Sequence, residues 1–219
     1  MTVGEGERGR LITLEGGEGA GKSTQADLLQ QWLAARGVSV VRTREPGGSA
    51  DAEAIRRLLL GGRVAPFGPG AEALLFAVAR ADHVAVTIAP ALAAGQWVVC
   101  DRFMDSTRAY QGSSSVSAEE LDRLERIAVG PARPDLTLIL DLPASQGLQR
   151  ASERRQGADR FERDSLALHE KRREAFLAIA AAEPHRCVVI DATAGPDEVA
   201  REIARAVSDR LGMLLPEDI

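Results

Sequence analysis

The chain has 219 residues, 45% of them hydrophobic and 27% charged, with a formal net charge of −5. This is the size and balance of one soluble globular domain, which excludes a disordered chain or a fibrous repeat. A net acidic chain without a basic field is also no general binder of polymeric nucleic acid.

In chain order, residues 1–9 are polar and glycine-rich and read as a tail, with no apolar core of the kind a secretory leader needs. Leu11–Glu15 (LITLE) is an apolar run that predicts a buried strand. Lys22–Arg36 has helical spacing at Ala26, Leu29 and Leu33 and closes at Gly37. Val38–Thr43 predicts a second strand, Glu45–Gly48 a turn, and Ala50–Leu60 a helix stopped by Gly61 and Gly62. A long helix is expected from Gly70 to His83 and on to Ala94, broken at Pro90. Its apolar stretch carries Glu72, Arg80, Asp82 and His83, so no membrane span is expected. Trp97–Asp101, Leu136–Asp141 and Arg186–Asp191 predict three more strands. Helices are expected over Ala118–Ala128, Ser145–Arg155, Ser165–Ala182 and Pro196–Leu211.

Strand and helix alternate throughout, which predicts one α/β domain over 1–219: a five-stranded parallel sheet in three layers, helices on both faces, right-handed crossovers. Two cysteines, Cys100 and Cys187, have neither metal nor disulfide spacing and predict reduced, buried thiols in a cytoplasmic protein. Of the 27 basic residues only Lys22 and Lys171 are lysines. A background that has so largely replaced lysine by arginine draws attention to the positions where it has not.

One of those positions completes the strongest motif. Gly16, Gly17, Glu18, Gly19, Ala20, Gly21, Lys22 and Ser23 fit G-x-x-x-x-G-K-[ST], between a predicted strand and a predicted helix. Glycines let successive N–H groups turn toward phosphate oxygens, and the helix N-terminus adds its positive end. Lys22 is expected to reach the β- and γ-phosphates of ATP; Ser23 is expected on Mg²⁺, with Thr24 behind it. The structural alternative is a glycine-rich turn without a ligand. No N-K-x-D motif for reading guanine is present. The arginines downstream favour a nucleoside or nucleotide kinase.

Further segments make the pattern specific: Leu14–Thr24, Thr43–Gly48 (TREPGG), Leu74–Arg80 (LLFAVAR), Asp101-Arg102, Ser106–Gly112 (STRAYQG), Arg133–Leu136 and Arg150–Glu162. In order and spacing over about residues 11–200 the chain resembles the bacterial thymidylate kinases. The resemblance implies a P-loop NTPase fold with a short lid over about 150–163, and Mg²⁺-dependent transfer of the ATP γ-phosphate to dTMP on the way to dTTP. It also implies a homodimer.

For individual residues the resemblance implies the following. Arg44 and Arg102 hold the acceptor phosphate, and Glu45-Pro46 is a candidate cis bond whose isomer the sequence leaves open. Phe76 stacks on thymine while Arg80 donates to its O4; the two share a helix face, and a donor-only guanidinium suits thymine or uracil rather than cytosine. A core Phe and a salt-bridged Arg are the alternative. Tyr110 and Gln111 face the nucleoside, Glu18 accepts from the 3′-hydroxyl, and Asp101 helps hold Mg²⁺. The family often has Tyr or His where this chain has Phe103. The phosphate loop reads Glu-Gly-Ala and offers no arginine, so Arg154 or Arg155 in the lid is expected at the transferring phosphoryl, with Arg150 and Arg160 next. Two other readings stay open: a kinase for another acceptor, and a nucleotide-binding regulator without turnover.

Overall fold

The computed structural model describes residues 8–153 and 160–213. Five apolar runs form β1 (Leu11–Gly16), β2 (Val40–Arg44), β3 (Trp97–Asp101), β4 (Leu136–Asp141) and β5 (Cys187–Asp191). They pair in parallel in the order β2-β3-β1-β4-β5. Parallel neighbours require long crossovers, and helices supply them. These are α1 (Lys22–Ala34), α2 (Ala50–Leu60), α3 (Gly68–His83), α4 (Ala89–Ala93), α5 (Met104–Gly112), α6 (Ala118–Val129), α7 (Ala144–Ser152), α8 (Leu166–Ala182) and α9 (Pro196–Leu211).

Side chains alternate across a strand, so one run feeds two cores. Ile12 and Leu14 of β1 pack with Leu29 and Leu33 of α1 and Val199, Ile203 and Val207 of α9. Leu11, from the other face, packs with Val98, Ile88, Leu92, Phe103 and Met104. A third cluster joins Ile139 to Tyr110, Phe161 and Phe176. Each such buried side chain contributes about 1.5–3 kcal/mol.

Three expectations shift. The second strand starts at Val40 and runs on through Arg44. Residues 104–112, read from sequence only as a motif, form α5. The expected break at Pro90 does not occur. A π-helical stretch, Val84–Ile88, joins α3 to α4 immediately before Pro90, and the irregular turn accommodates a residue with no N–H to donate while the helix runs on.

The helical run Ala65–Ala93 is long and apolar enough, by length and composition alone, to cross a membrane. Here its charged groups turn inward: Glu72, Arg80 and His83 are buried. Its other side leaves Phe67, Leu74, Val78 and Val86 exposed. At the carboxyl ends of β1, β2 and β3 the strand order reverses direction around β1, which is where open α/β sheets hold ligands.

Candidate active site

The phosphate loop leaves β1 and ends at α1, as its motif predicts. Gly19 and Gly21 have φ of 69° and 89°, a region closed to most residues with a Cβ. Gly19 is doubly constrained: a Cβ there would lie 1.9 Å from the carbonyl oxygen of Gly147 in α7. Gly147 in turn faces the Glu18 carbonyl, 2.2 Å from where its own Cβ would be. Loop and lid-side helix therefore meet backbone to backbone.

Lys22 lies folded across this loop, donating from Nζ to the carbonyls of Gly17 (2.6 Å) and Gly16 (3.1 Å). Burial, then the nearby Arg102 charge, push its pKa down to about 8 against the pull of Glu18, Asp101 and Glu15. Ser23 Oγ donates to Asp101 Oδ2 at 2.5 Å, and Arg42 Nη2 lies 3.9 Å from the same carboxylate oxygen. A hydroxyl and a carboxylate this close form a hard oxygen pair that one small divalent cation could share.

Arg102 is the hub. Its Nη1 donates to the Gly16 carbonyl and Ser106 Oγ, both at 3.1 Å. Its Nη2 donates to Glu18 Oε1 (2.8 Å) and the Tyr110 hydroxyl (3.0 Å). Tyr110 donates in turn to Glu18 Oε1 at 2.5 Å. Burial alone would raise the Glu18 pKa; the opposing charges of Arg102 and Lys22 and the Tyr110 hydrogen bond outweigh it and hold Glu18 at about 2. Its own burial, and then the same carboxylate, push the Tyr110 phenol up against the Arg102 charge.

Beside this hub lies a cleft of about 430 Å³, lined by Phe76, Arg80, Phe103, Tyr110, Gln111 and Phe161 among others. Phe161 stands between two aromatic rings, its centroid 6.0 Å from Phe76 and 5.7 Å from Tyr110. Arg80 and Phe76 share the α3 face as their spacing predicts. Arg80, however, is largely occupied. Nε donates to Glu45 Oε2 (2.7 Å), and Nη2 to the Phe103 carbonyl and Thr107 Oγ1, both at 3.0 Å. Only Nη1 has no protein partner among the described residues, and Arg80 presents an edge to the cleft. Glu45 is also met by His83 Nδ1 at 3.0 Å, while His83 Nε2 lies 2.7 Å from Thr43 Oγ1. The Glu45-Pro46 bond is cis.

A larger cleft of about 1650 Å³ runs from Glu18, Lys22 and Ser23 past Asp101 and Arg102 to Arg44 and Arg56. Arg44 stands at its edge, paired with Glu53 at 3.0 Å. A third opening is lined by Gly19, Ala20, Gly21, Thr24 and Arg150, and by Ala192–Pro196 after β5. Arg150 donates there to the carbonyls of Ala192 (2.9 Å) and Thr193 (3.2 Å). Arg160 lies on the other side, 2.9 Å from buried Glu72 of α3. The two reserve lid arginines are thus drawn apart. Arg154 and Arg155 lie outside the described residues.

Sequence reading missed several groups. Glu45 and Phe161 line the 430 Å³ cleft, and Ser106 and Thr107 steady its two arginines. Glu15, which accepts from α5, left one visible signal: an acid closing an apolar strand. Among the described residues no cluster of three or more His, Cys, Asp or Glu could hold a metal alone.

The geometry therefore offers a phosphate loop, a buried arginine hub and an aromatic cleft within one continuous depression. A family profile described as thymidylate kinase matches residues 14–203. A thymidylate kinase of Bradyrhizobium sp. strain ORS 278 is 56% identical over 207 residues, covering 93% of this chain and 92% of the relative. One from Bradyrhizobium diazoefficiens is 55% identical, again over 93% of this chain and 91% of the relative. Among solved structures, thymidylate kinase from Ehrlichia chaffeensis superposes with a TM-score of 0.75 at 31% identity, covering 91% of this chain and 99% of that one.

Proposed function

The chain belongs to the thymidylate kinase family and is a kinase that phosphorylates dTMP, and we propose that it takes the phosphoryl group from ATP with Mg²⁺ present. The observation that carries the assignment of roles is the placement of Arg102 between the phosphate loop and the aromatic cleft. An acceptor phosphate lying at Arg102, with its base stacked against Phe76, would face the loop directly.

The acceptor oxygen of dTMP is already anionic, so no general base is needed. Catalysis is positioning and charge stabilisation. Lys22 and the amides of Gly16, Gly17, Gly19, Ala20 and Gly21 hold the donor phosphates, with Thr24 toward the donor nucleoside opening. Ser23 and Asp101 are the oxygen donors that fit Mg²⁺, which when bound neutralises charge on the phosphates. Arg102 and Arg44 hold the acceptor phosphate. The incoming phosphate competes with Glu18 for Arg102 and leaves the Glu18 carboxylate to accept from the sugar 3′-hydroxyl. Arg80 offers Nη1 to thymine O4; Gln111 and Tyr110 close the nucleoside side. Arg154 or Arg155 attends the transferring phosphoryl.

We read residues 1–219 as one kinase domain. The exposed apolar side chains Phe67, Leu74 and Val78, with Ile127 on α6, support a homodimer. Light scattering that returns only the monomer mass at assay concentrations would overturn it. Buried free Cys100 and Cys187 fit a reducing, cytoplasmic setting.

A coupled ADP-release assay across monophosphates tests the acceptor assignment. The expected order is dTMP first, then dUMP, with dCMP and AMP about 100-fold or more lower, because an amino donor would meet the Arg80 donor. Best turnover on dCMP or AMP would sink the base-pocket assignment. ATP binding without acceptor-dependent turnover would favour the regulator reading.

A further inference from the structure

We propose that Glu15 is a positioning residue for the acceptor-phosphate clamp, its carboxylate fixing both the backbone and the guanidinium of Arg102. The proposal rests on the assignment of Arg102 to the dTMP phosphate.

Alternation along β1 puts Glu15 on the face of Leu11 and Thr13, and it is fully buried. A carboxylate there is costly unless donors surround it. Its donors come from one place, the first turn of α5. Oε1 accepts from the N–H groups of Phe103 (2.8 Å) and Ser106 (3.2 Å), and Oε2 accepts from the Ser106 hydroxyl at 2.6 Å. Helix N-terminal amides lack partners within their own helix. Phe103, the residue before α5, supplies no side-chain cap. Glu15 is therefore a cap delivered from another strand, and the helix it caps carries Ser106, Tyr110 and Gln111.

Arg102 sits between two of these anchors. Its φ is 65°, the sole positive value at a non-glycine among the described residues. A side chain with a Cβ rarely adopts that conformation unless its surroundings impose it. The Arg102 N–H donates to the Leu14 carbonyl at 2.9 Å, and the next N–H, that of Phe103, donates to Glu15. Two successive residues of β1 thus hold the two peptide groups that flank Arg102. The first hold is backbone and survives any side-chain change; the second depends on the Glu15 carboxylate.

A second hold acts on the guanidinium. Ser106 has a single hydroxyl proton and donates it to Glu15 Oε2. Its lone pairs are left for Arg102 Nη1, 3.1 Å away. An ionised carboxylate can only accept, so it fixes the polarity of this relay. Burial, then the charge of Asp105, push Glu15 up to about 7, while the Ser106 hydroxyl, the Arg102 charge and the Phe103 N–H favour the ionised form that the relay needs.

Three variants separate the two holds. Glu15→Ala removes both. Glu15→Gln keeps an oxygen for the two amides but turns a donor toward Ser106, reversing the relay. Ser106→Ala removes the relay alone. In steady-state kinetics with both substrates, Glu15→Ala is expected to raise the dTMP KM by more than about 30-fold. Glu15→Gln and Ser106→Ala are expected to raise it by about 3- to 10-fold, as for the loss or reversal of one ordinary hydrogen bond. The ATP KM stays within about twofold in all three, because the contacts removed include neither Lys22 nor any amide of the phosphate loop. An equal rise in both KM values for Glu15→Ala, or a dTMP KM left within twofold, would overturn the proposal. Should Glu15→Ala fail to fold, an unchanged dTMP KM in both milder variants would do so. A crystal structure of Glu15→Ala or Glu15→Gln decides independently of substrate: Arg102 is expected to leave the left-handed region in Glu15→Ala and stay in Glu15→Gln. Retention of positive φ in Glu15→Ala would refute the backbone hold. Wild-type enzyme inactive on dTMP would refute the acceptor assignment instead.

Discussion

Lys22→Ala abolishes turnover, with kcat down by about 10³-fold or more, while melting stays within a few degrees of wild type. The loss is large because the ammonium lies folded onto the Gly16 and Gly17 carbonyls, where it can swing to the donor phosphates without a backbone rearrangement. The fold survives because Gly16, the more distant of the two carbonyls, keeps Arg102 as a donor. Retained kcat would refute the role of Lys22. The pH profile is a second readout. Burial and Arg102 hold the free enzyme's Lys22 at about 8, and the protonated form binds polyphosphate. Above pH 8, kcat/KM for ATP should therefore fall about tenfold per pH unit, and below it the profile should level. Lys22→Arg lacks that limb, since a guanidinium keeps its proton, but turns over slowly because a planar fork fits the loop poorly. An identical limb in Lys22→Arg would assign it to another group.

Arg80→Ala is expected to lower stability and acceptor binding together. Removing the guanidinium leaves buried Glu45 with His83 alone and strips a donor from the Phe103 carbonyl and Thr107. Breaking a buried pair from one side costs about 3–5 kcal/mol, which for a chain of this length is a drop of about 6–20 °C in Tm. The dTMP KM rises more than about tenfold through loss of the O4 donor, with ATP unaffected. The double variant Glu45→Gln/Arg80→Ala separates the two effects. Neutralising Glu45 recovers part of the Tm, and the dTMP KM stays high. Equal rises in the KM of ATP and dTMP would place Arg80 outside the base pocket.

The phosphate loop was legible because its chemistry is local: glycines, a lysine and a serine at fixed spacing between a strand and a helix. The five strands were legible because a buried parallel sheet needs apolar runs. Residues 104–112 were opaque as a helix. Their sequence, MDSTRAYQG, has little apolar periodicity, and the helix is capped by Glu15, 88 residues before Phe103. Arg80 shows the same limit at the site. An arginine in an apolar helix needs partners, and the sequence supported a base carbonyl as one of them. Most of its donors go instead to Glu45, Phe103 and Thr107, groups 23 to 35 residues away that only the fold assembles. His83, which the sequence shows only as a polar residue interrupting an apolar helix, backs that same pair.

The contact between Gly19 and Gly147 carries an evolutionary consequence. Each position excludes a methyl group by the backbone across the seam, Gly19 by Gly147 itself and Gly147 by Glu18, the residue before Gly19, so neither can drift while the facing segment stays in place. Two codons 128 residues apart are yoked by shape alone, whatever chemistry the neighbouring side chains perform. Mutational paths that retune the nucleotide preferences of this enzyme must therefore run through the walls of its clefts and leave this seam untouched.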